Sequence, residues 1–98
     1  MIEIVIDGME IKDREQLFRV FRNNLELPDY YGDNLDALYD VLSTYSEEVE
    51  ITILNEEDLY NNIPFYGERL VGMLNVAAEE NEPYILIKKG DNMEEELW

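Results

Sequence analysis

The chain has 98 residues, of which 46% are hydrophobic, so it is long and apolar enough to form one small domain with a buried core. Its 24 acidic residues outnumber its 7 basic residues, and the formal net charge of −17 excludes nucleic acid and acidic membrane surfaces as direct partners. The lack of cysteine and histidine excludes disulfides, thiol nucleophiles, ordinary zinc sites and the commonest general base.

The N-terminal segment predicts a cytoplasmic protein. The sequence MIEIVIDG has no basic region and no long apolar run, so it is not typical of a signal peptide. No segment approaches the roughly 20 consecutive apolar residues that a membrane span requires. We therefore expect the chain to lie in the cytoplasm, whose reducing conditions are compatible with the lack of cysteine.

The first part of the chain predicts a strand followed by an amphipathic helix. Residues 2–6 are mostly β-branched, which favours a strand, and the next two residues, Asp-Gly, indicate a turn. Apolar side chains recur at helical spacing over residues 13–25. Asp13 is a suitable N-cap for this helix, and Gln16 follows at the position that completes a capping box.

A loop and a second helix follow. The Pro, Gly and Asp content of residues 27–33 is typical of a loop, and either Asp33 or Asn34 can cap the helix after it. The apolar side chains that this helix directs inward are predicted to be Leu35, Leu38, Val41 and Leu42.

The second half of the chain repeats the alternation of strand and helix. We predict a strand at 49–54, a short helix at 56–62, a longer helix at 65–80 and a last strand at 84–87, ended by Lys-Lys-Gly. Strands that alternate with helices favour a mostly parallel sheet, and the apolar strands predict burial of both sheet faces. The predicted domain spans residues 1–90, and residues 91–98 form an acidic tail. The core is predicted to include Leu35, Leu38, Val41, Leu42, Leu70, Met73 and Leu74.

The second helix carries a stripe of polar side chains, which we call the acidic face. It consists of Asp36, Tyr39, Asp40 and Ser43, whose spacing places them on one side of the helix. The two aspartates are four residues apart, so they repel each other by roughly 0.2–0.5 kcal/mol. No Lys or Arg occurs between Asn23 and Glu68, a span that contains twelve acidic residues. A field of one sign over half a domain is typical of electrostatic steering toward a basic protein.

Two other interpretations of these carboxylates remain open from the residues alone. The aspartates could be an ordinary solvated helix face, with the neighbouring tyrosines at the edge of the core. They could also hold magnesium in a hydrolase that uses Asp36 and Asp40, although Asp pairs at this spacing are frequent by chance. The sequence offers no stronger catalytic pattern, so we expect no enzyme, no metal and no cofactor.

One segment resembles a known family. The sequence LPDYYGDNLDALYDVL, at residues 27–42, closely resembles the barstar family, intracellular inhibitors of small secreted ribonucleases of the barnase type. The likeness extends more loosely to about Gly90. It implies an α/β, three-layer barstar-like fold, in which a three-stranded parallel sheet is packed by about four helices. It also implies that the second helix and its preceding loop block the active site of the ribonuclease.

The resemblance assigns partner contacts to individual residues. Asp40 occupies the place of the main anchor, whose carboxylate imitates a substrate phosphate, and Asp36 matches a second acidic contact. Tyr30 matches a loop aromatic that packs against the catalytic histidine of the ribonuclease. Tyr39 stands where Trp is more usual, and Glu80 lies one turn after Val76, where the family has an enzyme-facing Glu. The remaining implied contacts are Gly32, Asn34, Leu35, Ala37, Ser43 and Tyr45.

The expected partner is therefore a basic ribonuclease of the barnase type. An immunity-type role against another basic nuclease or toxin domain stays open, because the same acidic surface would suit either enzyme. We expect the free protein to be a monomer.

Overall fold

The computed structural model of the chain describes residues 1–27, 32 and 34–90. The predicted tail and most of the predicted loop, including Tyr30 and Asp33, lie outside these residues. The predicted order of strands and helices is confirmed. Its elements are β1 (Ile2–Asp7), α1 (Arg14–Asn24), α2 (Leu35–Ser43), β2 (Val49–Leu54), α3 (Glu56–Asn62), α4 (Tyr66–Glu80) and β3 (Ile85–Gly90).

The three strands form one parallel sheet with β2 in the middle, and the predicted three-stranded parallel sheet with four helices is confirmed. Ile4 of β1 is in register with Ile51 of β2, which in turn is in register with Ile87 of β3. In-register side chains of parallel strands point to the same face, so these isoleucines lie on one side of the sheet.

Only that side of the sheet is buried. Ile4 and Ile51 are inaccessible to solvent, whereas Val5 and Leu86, on the other face, are 53% and 51% exposed. The predicted burial of both faces is therefore not found among the described residues, and neither is the third layer that the family resemblance implied. The strand order explains this arrangement, because each strand lies next to the one that follows it in the sequence. Two right-handed crossovers in the same direction place α1 and α2, and then α3 and α4, on the same side of the sheet.

The core joins the covered sheet face to the helices. Of the predicted core residues, Leu38, Leu42, Leu70 and Leu74 are buried, and Leu35 and Met73 are half-buried against the core. Val41 is half-buried but is not among the residues that pack against the core. Leu38 and Leu42 belong to α2, and Leu70 and Leu74 belong to α4. These two helices pack directly against each other, which positions the exposed side of α2.

The last strand is longer than predicted. Lys88 and Lys89 were expected to end it, but β3 continues to Gly90 in register with β2. The Lys88 ammonium lies 3.0 Å from the Glu50 carboxylate, and the Lys89 ammonium lies 3.2 Å from that of Glu56. These ion pairs make lysine compatible with a strand at this edge of the sheet.

The carboxyl ends of β1 and β2 meet the start of α3 in a group of polar side chains that we call the sheet-end cluster. It consists of Asp7, Asn55, Glu56, Tyr60 and Lys89. The Asn55 amide donates a hydrogen bond to Asp7 Oδ1 at 2.8 Å, and the Tyr60 hydroxyl donates to the Glu56 carboxylate.

Gly8 lets the backbone of β1 approach this cluster closely. A Cβ atom at this position would lie 2.1 Å from the carbonyl oxygen of Asn55 and 2.6 Å from the amide nitrogen of Leu59. Both are backbone atoms, which cannot move aside as a flexible side chain would. The predicted Asp-Gly turn is therefore also a packing requirement.

The first helix begins as predicted. Asp13 Oδ1 accepts a hydrogen bond from the Gln16 N–H at 2.9 Å, which confirms Asp13 as the N-cap. Gln16 Oε1 accepts from the Lys12 N–H at 2.6 Å, one residue before the position that a standard capping box uses. None of the helices in the described part of the chain is long and apolar enough to cross a membrane.

Candidate functional site

Asn34 sets the start of α2. Its side-chain oxygen accepts a hydrogen bond from the Ala37 N–H at 2.8 Å, and its own N–H donates to the Gly32 carbonyl at 2.8 Å. Of the two candidate caps, Asn34 is therefore confirmed. Asn34, Gly32 and Ala37, all candidate contact residues, form the entry to the helix.

Asp36 and Asp40 are exposed on the side of α2 away from the core. Leu38 and Leu42, on the opposite side, are fully buried. Among the described residues, no Lys or Arg forms an ion pair with either aspartate. The two carboxylates are thus exposed to solvent, and no counter-ion from the described part of the chain neutralises them.

The two aspartates differ in their relation to the helix dipole. Asp36 lies in the first turn, where the N-terminal partial positive charge stabilises a carboxylate. Asp40 begins the last turn, which contains no basic residue, and there the dipole disfavours a carboxylate by about 0.3–1 kcal/mol. Repulsion from Asp36 adds to this cost. Asp40 therefore lowers the stability of the free helix, a pattern that is expected of functional residues.

The C-terminal end of α2 is capped by the side-chain hydroxyl groups of Ser43 and Thr44 and not by a glycine. The Thr44 hydroxyl donates to the Asp40 carbonyl at 2.9 Å, and the Ser43 hydroxyl lies 3.4 Å from the same oxygen. These bonds satisfy a carbonyl that the helix itself leaves without a partner. They also anchor the backbone from which the Asp40 side chain projects.

Asn81 ties the end of α2 to α4. Its amide donates hydrogen bonds to the carbonyls of Leu42 and Tyr45, at 2.8 and 2.9 Å. From the sequence, Asn81 was predicted only to lie between the helix at 65–80 and the last strand. An Asn directly after a long helix is a signal for a helix cap, but the two acceptors are 39 and 36 residues away.

Tyr39 and Glu80 meet although 41 residues separate them. Tyr39 is half-buried against the core, and its hydroxyl donates a hydrogen bond to the Glu80 carboxylate. The prediction that Tyr39 shares one side of the helix with Asp36 and Asp40 is therefore wrong, because those aspartates are exposed while the Tyr39 ring packs against the core and its hydroxyl reaches α4. Val76, one turn earlier on α4, is 45% exposed and offers no charge.

The other candidate contacts lie at the margin of the site. The Tyr45 hydroxyl accepts a hydrogen bond from the Glu26 N–H at 3.2 Å, which joins the end of α1 to the end of α2. Leu35 is half-buried against the core. Tyr30 lies outside the described residues. No group of three or more Asp or Glu side chains in the described part of the chain is arranged to hold a metal ion.

The Barstar family model, described as barstar (barnase inhibitor), matches residues 1–91. The chain belongs to the barstar family. It is also similar to the Bacillus subtilis (strain 168) protein named "Putative ribonuclease inhibitor YrdF", with 34% identity over 82 residues that cover 84% of this chain and 88% of that protein. The resemblance seen in residues 27–42 is thereby confirmed, and the family description is that of an inhibitor and not of an enzyme.

Proposed function

We propose that this chain inhibits a small basic ribonuclease of the barnase type by inserting the acidic face of α2 into the active site of that enzyme. The observation that carries the proposal is the pair of exposed carboxylates at Asp36 and Asp40. Neither has a counter-ion among the described residues, and both lie in a chain of the barstar family.

The chemistry of such an active site explains why carboxylates suit it. A ribonuclease must bind the phosphodiester of RNA with cationic groups, and guanidinium groups form short, often bidentate hydrogen bonds with carboxylates as they do with phosphate. In this proposal Asp40 takes the place of the phosphate and Asp36 provides a second acceptor.

Binding would also relieve the electrostatic cost of Asp40. In the free protein its carboxylate faces the negative end of the helix dipole and the charge of Asp36. In the complex the same carboxylate would meet positive charge that the ribonuclease already holds in place. The net charge of −17 supports rapid association with a basic partner, an effect for which barnase–barstar is itself the standard example.

The remaining family contacts would surround the two aspartates. Tyrosine is enriched at the energetic centres of interfaces, so Tyr39 and Tyr45 are the strongest uncharged candidates among the described residues. Gly32 and Asn34 would contribute backbone and amide groups from the start of α2. Tyr30 would contribute an aromatic contact from the preceding loop. We further propose that the inhibitor is a cytoplasmic monomer before it binds.

The direct test is inhibition of a purified barnase-type ribonuclease. The chain is titrated into the enzyme while hydrolysis of an RNA substrate is measured, and we expect activity to fall to zero at one inhibitor per enzyme. An unrelated basic ribonuclease provides the control for unspecific attraction between opposite charges.

Two outcomes would contradict the proposal. Full hydrolysis in the presence of excess inhibitor would exclude a barnase-type target and favour a different basic nuclease or toxin domain. Equal inhibition of the unrelated ribonuclease would indicate binding by net charge alone, without a specific fit of the acidic face.

A further inference from the structure

We infer that Tyr39 is a positioning residue whose hydroxyl holds the Glu80 carboxylate beside the acidic face of α2. The partner would then meet three prearranged carboxylates, those of Asp36, Asp40 and Glu80. This inference rests on the proposed function, but it assigns a role to the hydrogen bond between Tyr39 and Glu80 that the proposal does not require.

Tyr39 is suited to such a role because packing against the core fixes the position of its aromatic ring. It is half-buried and packs against the core, while its hydroxyl donates to the Glu80 carboxylate. A tyrosine with an apolar body and a polar tip uses the tip for a hydrogen bond at the edge of the core. The donor is therefore held by packing and does not depend on Glu80 for its position.

The backbone next to Glu80 is fixed as well. Asn81 donates to the carbonyls of Leu42 and Tyr45, so the end of α4 is joined to the end of α2. With both backbones held, the flexible part of the arrangement is the Glu80 side chain itself. Glutamate loses considerable rotamer freedom when a partner immobilises it. A hydrogen bond that restricts the side chain beforehand reduces this loss on binding.

The charge of Glu80 points to a role in binding and not only in folding. Among the described residues no Lys or Arg forms an ion pair with Glu80. The hydrogen bond from Tyr39 brings this carboxylate toward a helix that already carries two aspartates, which increases repulsion in the free protein. A cationic partner would convert that repulsion into attraction.

A double-mutant cycle tests the inference. Tyr39→Phe removes only the hydroxyl and keeps the packing of the ring, whereas Glu80→Gln removes the charge and keeps an acceptor. The inhibition constant for a barnase-type ribonuclease is measured for the wild type, both single variants and the double variant. We expect Tyr39→Phe to weaken inhibition about 3- to 10-fold and Glu80→Gln about 10-fold, with thermal stability nearly unchanged.

The decisive result is the lack of additivity. Once Glu80 has lost its charge, holding it in place has little value, so Tyr39→Phe should weaken inhibition no more than about 2-fold in the Glu80→Gln background. Tyr60→Phe is the matched control, because it also removes a phenol that donates to a glutamate, and it should leave inhibition unchanged. An undiminished effect of Tyr39→Phe in the Glu80→Gln background, or no effect in the wild type, would overturn the inference.

The positioning itself can be measured without a partner. NMR relaxation of the Glu80 side chain in the free protein should show greater motion in Tyr39→Phe than in the wild type, and equal motion in both would overturn the inference. Failure of the proposed function is recognised separately, because the wild type would then not inhibit the ribonuclease or Asp40→Ala would inhibit as well as the wild type.

Discussion

Two regions in the described part of the chain each carry a tyrosine–glutamate hydrogen bond, and they differ in the presence of a cation. In the sheet-end cluster, Tyr60 donates to Glu56, and the Lys89 ammonium lies 3.2 Å from the same carboxylate. Between α2 and α4, Tyr39 donates to Glu80, and the described residues supply no cation to this carboxylate. The first charge is therefore neutralised by a lysine of the chain, whereas the second has no Lys or Arg partner among the described residues.

The pKa values in the sheet-end cluster follow from this neutralisation. The hydrogen bond from Tyr60, and then Lys89, hold the pKa of Glu56 below its ordinary value. Burial and the neighbouring Glu56 raise the pKa of Tyr60. The charges of the sheet-end cluster are therefore balanced by one another and stabilise the fold, whereas Asp36 and Asp40 are exposed and have no Lys or Arg partner among the described residues.

The largest expected effect is that of Asp40→Ala on affinity. We expect the free energy of binding to a barnase-type ribonuclease to weaken by about 2–5 kcal/mol, a range that derives in part from barnase–barstar itself. The free energy of unfolding should stay the same or rise by about 0.3–1 kcal/mol, because an unfavourable charge is removed from the last turn of α2. Calorimetric titration and urea unfolding measure the two quantities.

Asp58→Ala is the matched control for net charge, since Asp58 is an exposed carboxylate on α3. It should leave affinity within about 2-fold of the wild type. Equal losses of affinity in the two variants would remove the distinction between the acidic face and the rest of the surface.

Gly8→Ala should destabilise the sheet end without changing the binding surface. The added Cβ would clash with backbone atoms of Asn55 and Leu59, so we expect the free energy of unfolding to fall by about 2–4 kcal/mol. Gly72→Ala is the control, because outside its chain neighbours and the backbone of its own helix no atom of the described residues lies within 4 Å of a Cβ there, and it should raise stability by about 0.5–1 kcal/mol. Urea unfolding distinguishes the two, and a stable Gly8→Ala variant would disprove the close approach.

Added salt should slow association with the ribonuclease more than it accelerates dissociation. Between roughly 0.01 and 1 M ionic strength the Debye length falls from about 30 to about 3 Å, which removes long-range attraction. We expect the association rate constant, measured by stopped-flow fluorescence, to fall at least about 10-fold. An association rate that is independent of salt would eliminate steering by the acidic face.

Glu56→Gln and Tyr60→Phe should each lower the free energy of unfolding by roughly 1 kcal/mol at neutral pH and leave inhibition unchanged. The Glu56 contribution is present above its ordinary pKa of 4.5 and is lost as the pH falls through the lower pKa of the folded state. The Tyr60 contribution is present below pH 10.0 and is lost as the pH rises toward the higher pKa of the folded state.

Urea unfolding across the pH range measures both contributions. The loss of stability as the pH falls should be smaller in Glu56→Gln than in the wild type. The loss of stability as the pH rises should be smaller in Tyr60→Phe than in the wild type. A weaker inhibitor in either variant would mean that the sheet-end cluster also takes part in binding, and the contrast between the two regions would fail.

The local sequence pattern was sufficient to predict much of the fold and the exposed aspartates of the candidate site. The order of strands and helices, the Asp13 cap and the burial of Leu38 and Leu42 follow from periodicity and capping, which act over a few neighbouring residues. The exposure of Asp36 and Asp40 follows from the same helical period. The LPDYYGDNLDALYDVL segment also identified the family, because a long run of specific residues is rarely matched by chance.

The tertiary structure alone decided which distant groups meet. The open sheet face depends on the order of the strands, and the extension of β3 through Lys88 and Lys89 depends on register and on acidic partners far along the chain. The contacts of Glu80 with Tyr39 and of Asn81 with the end of α2 depend on how α4 packs on α2. Hydrogen bonds and ion pairs act over a few ångströms, and sequence separation does not reveal which residues folding brings that close.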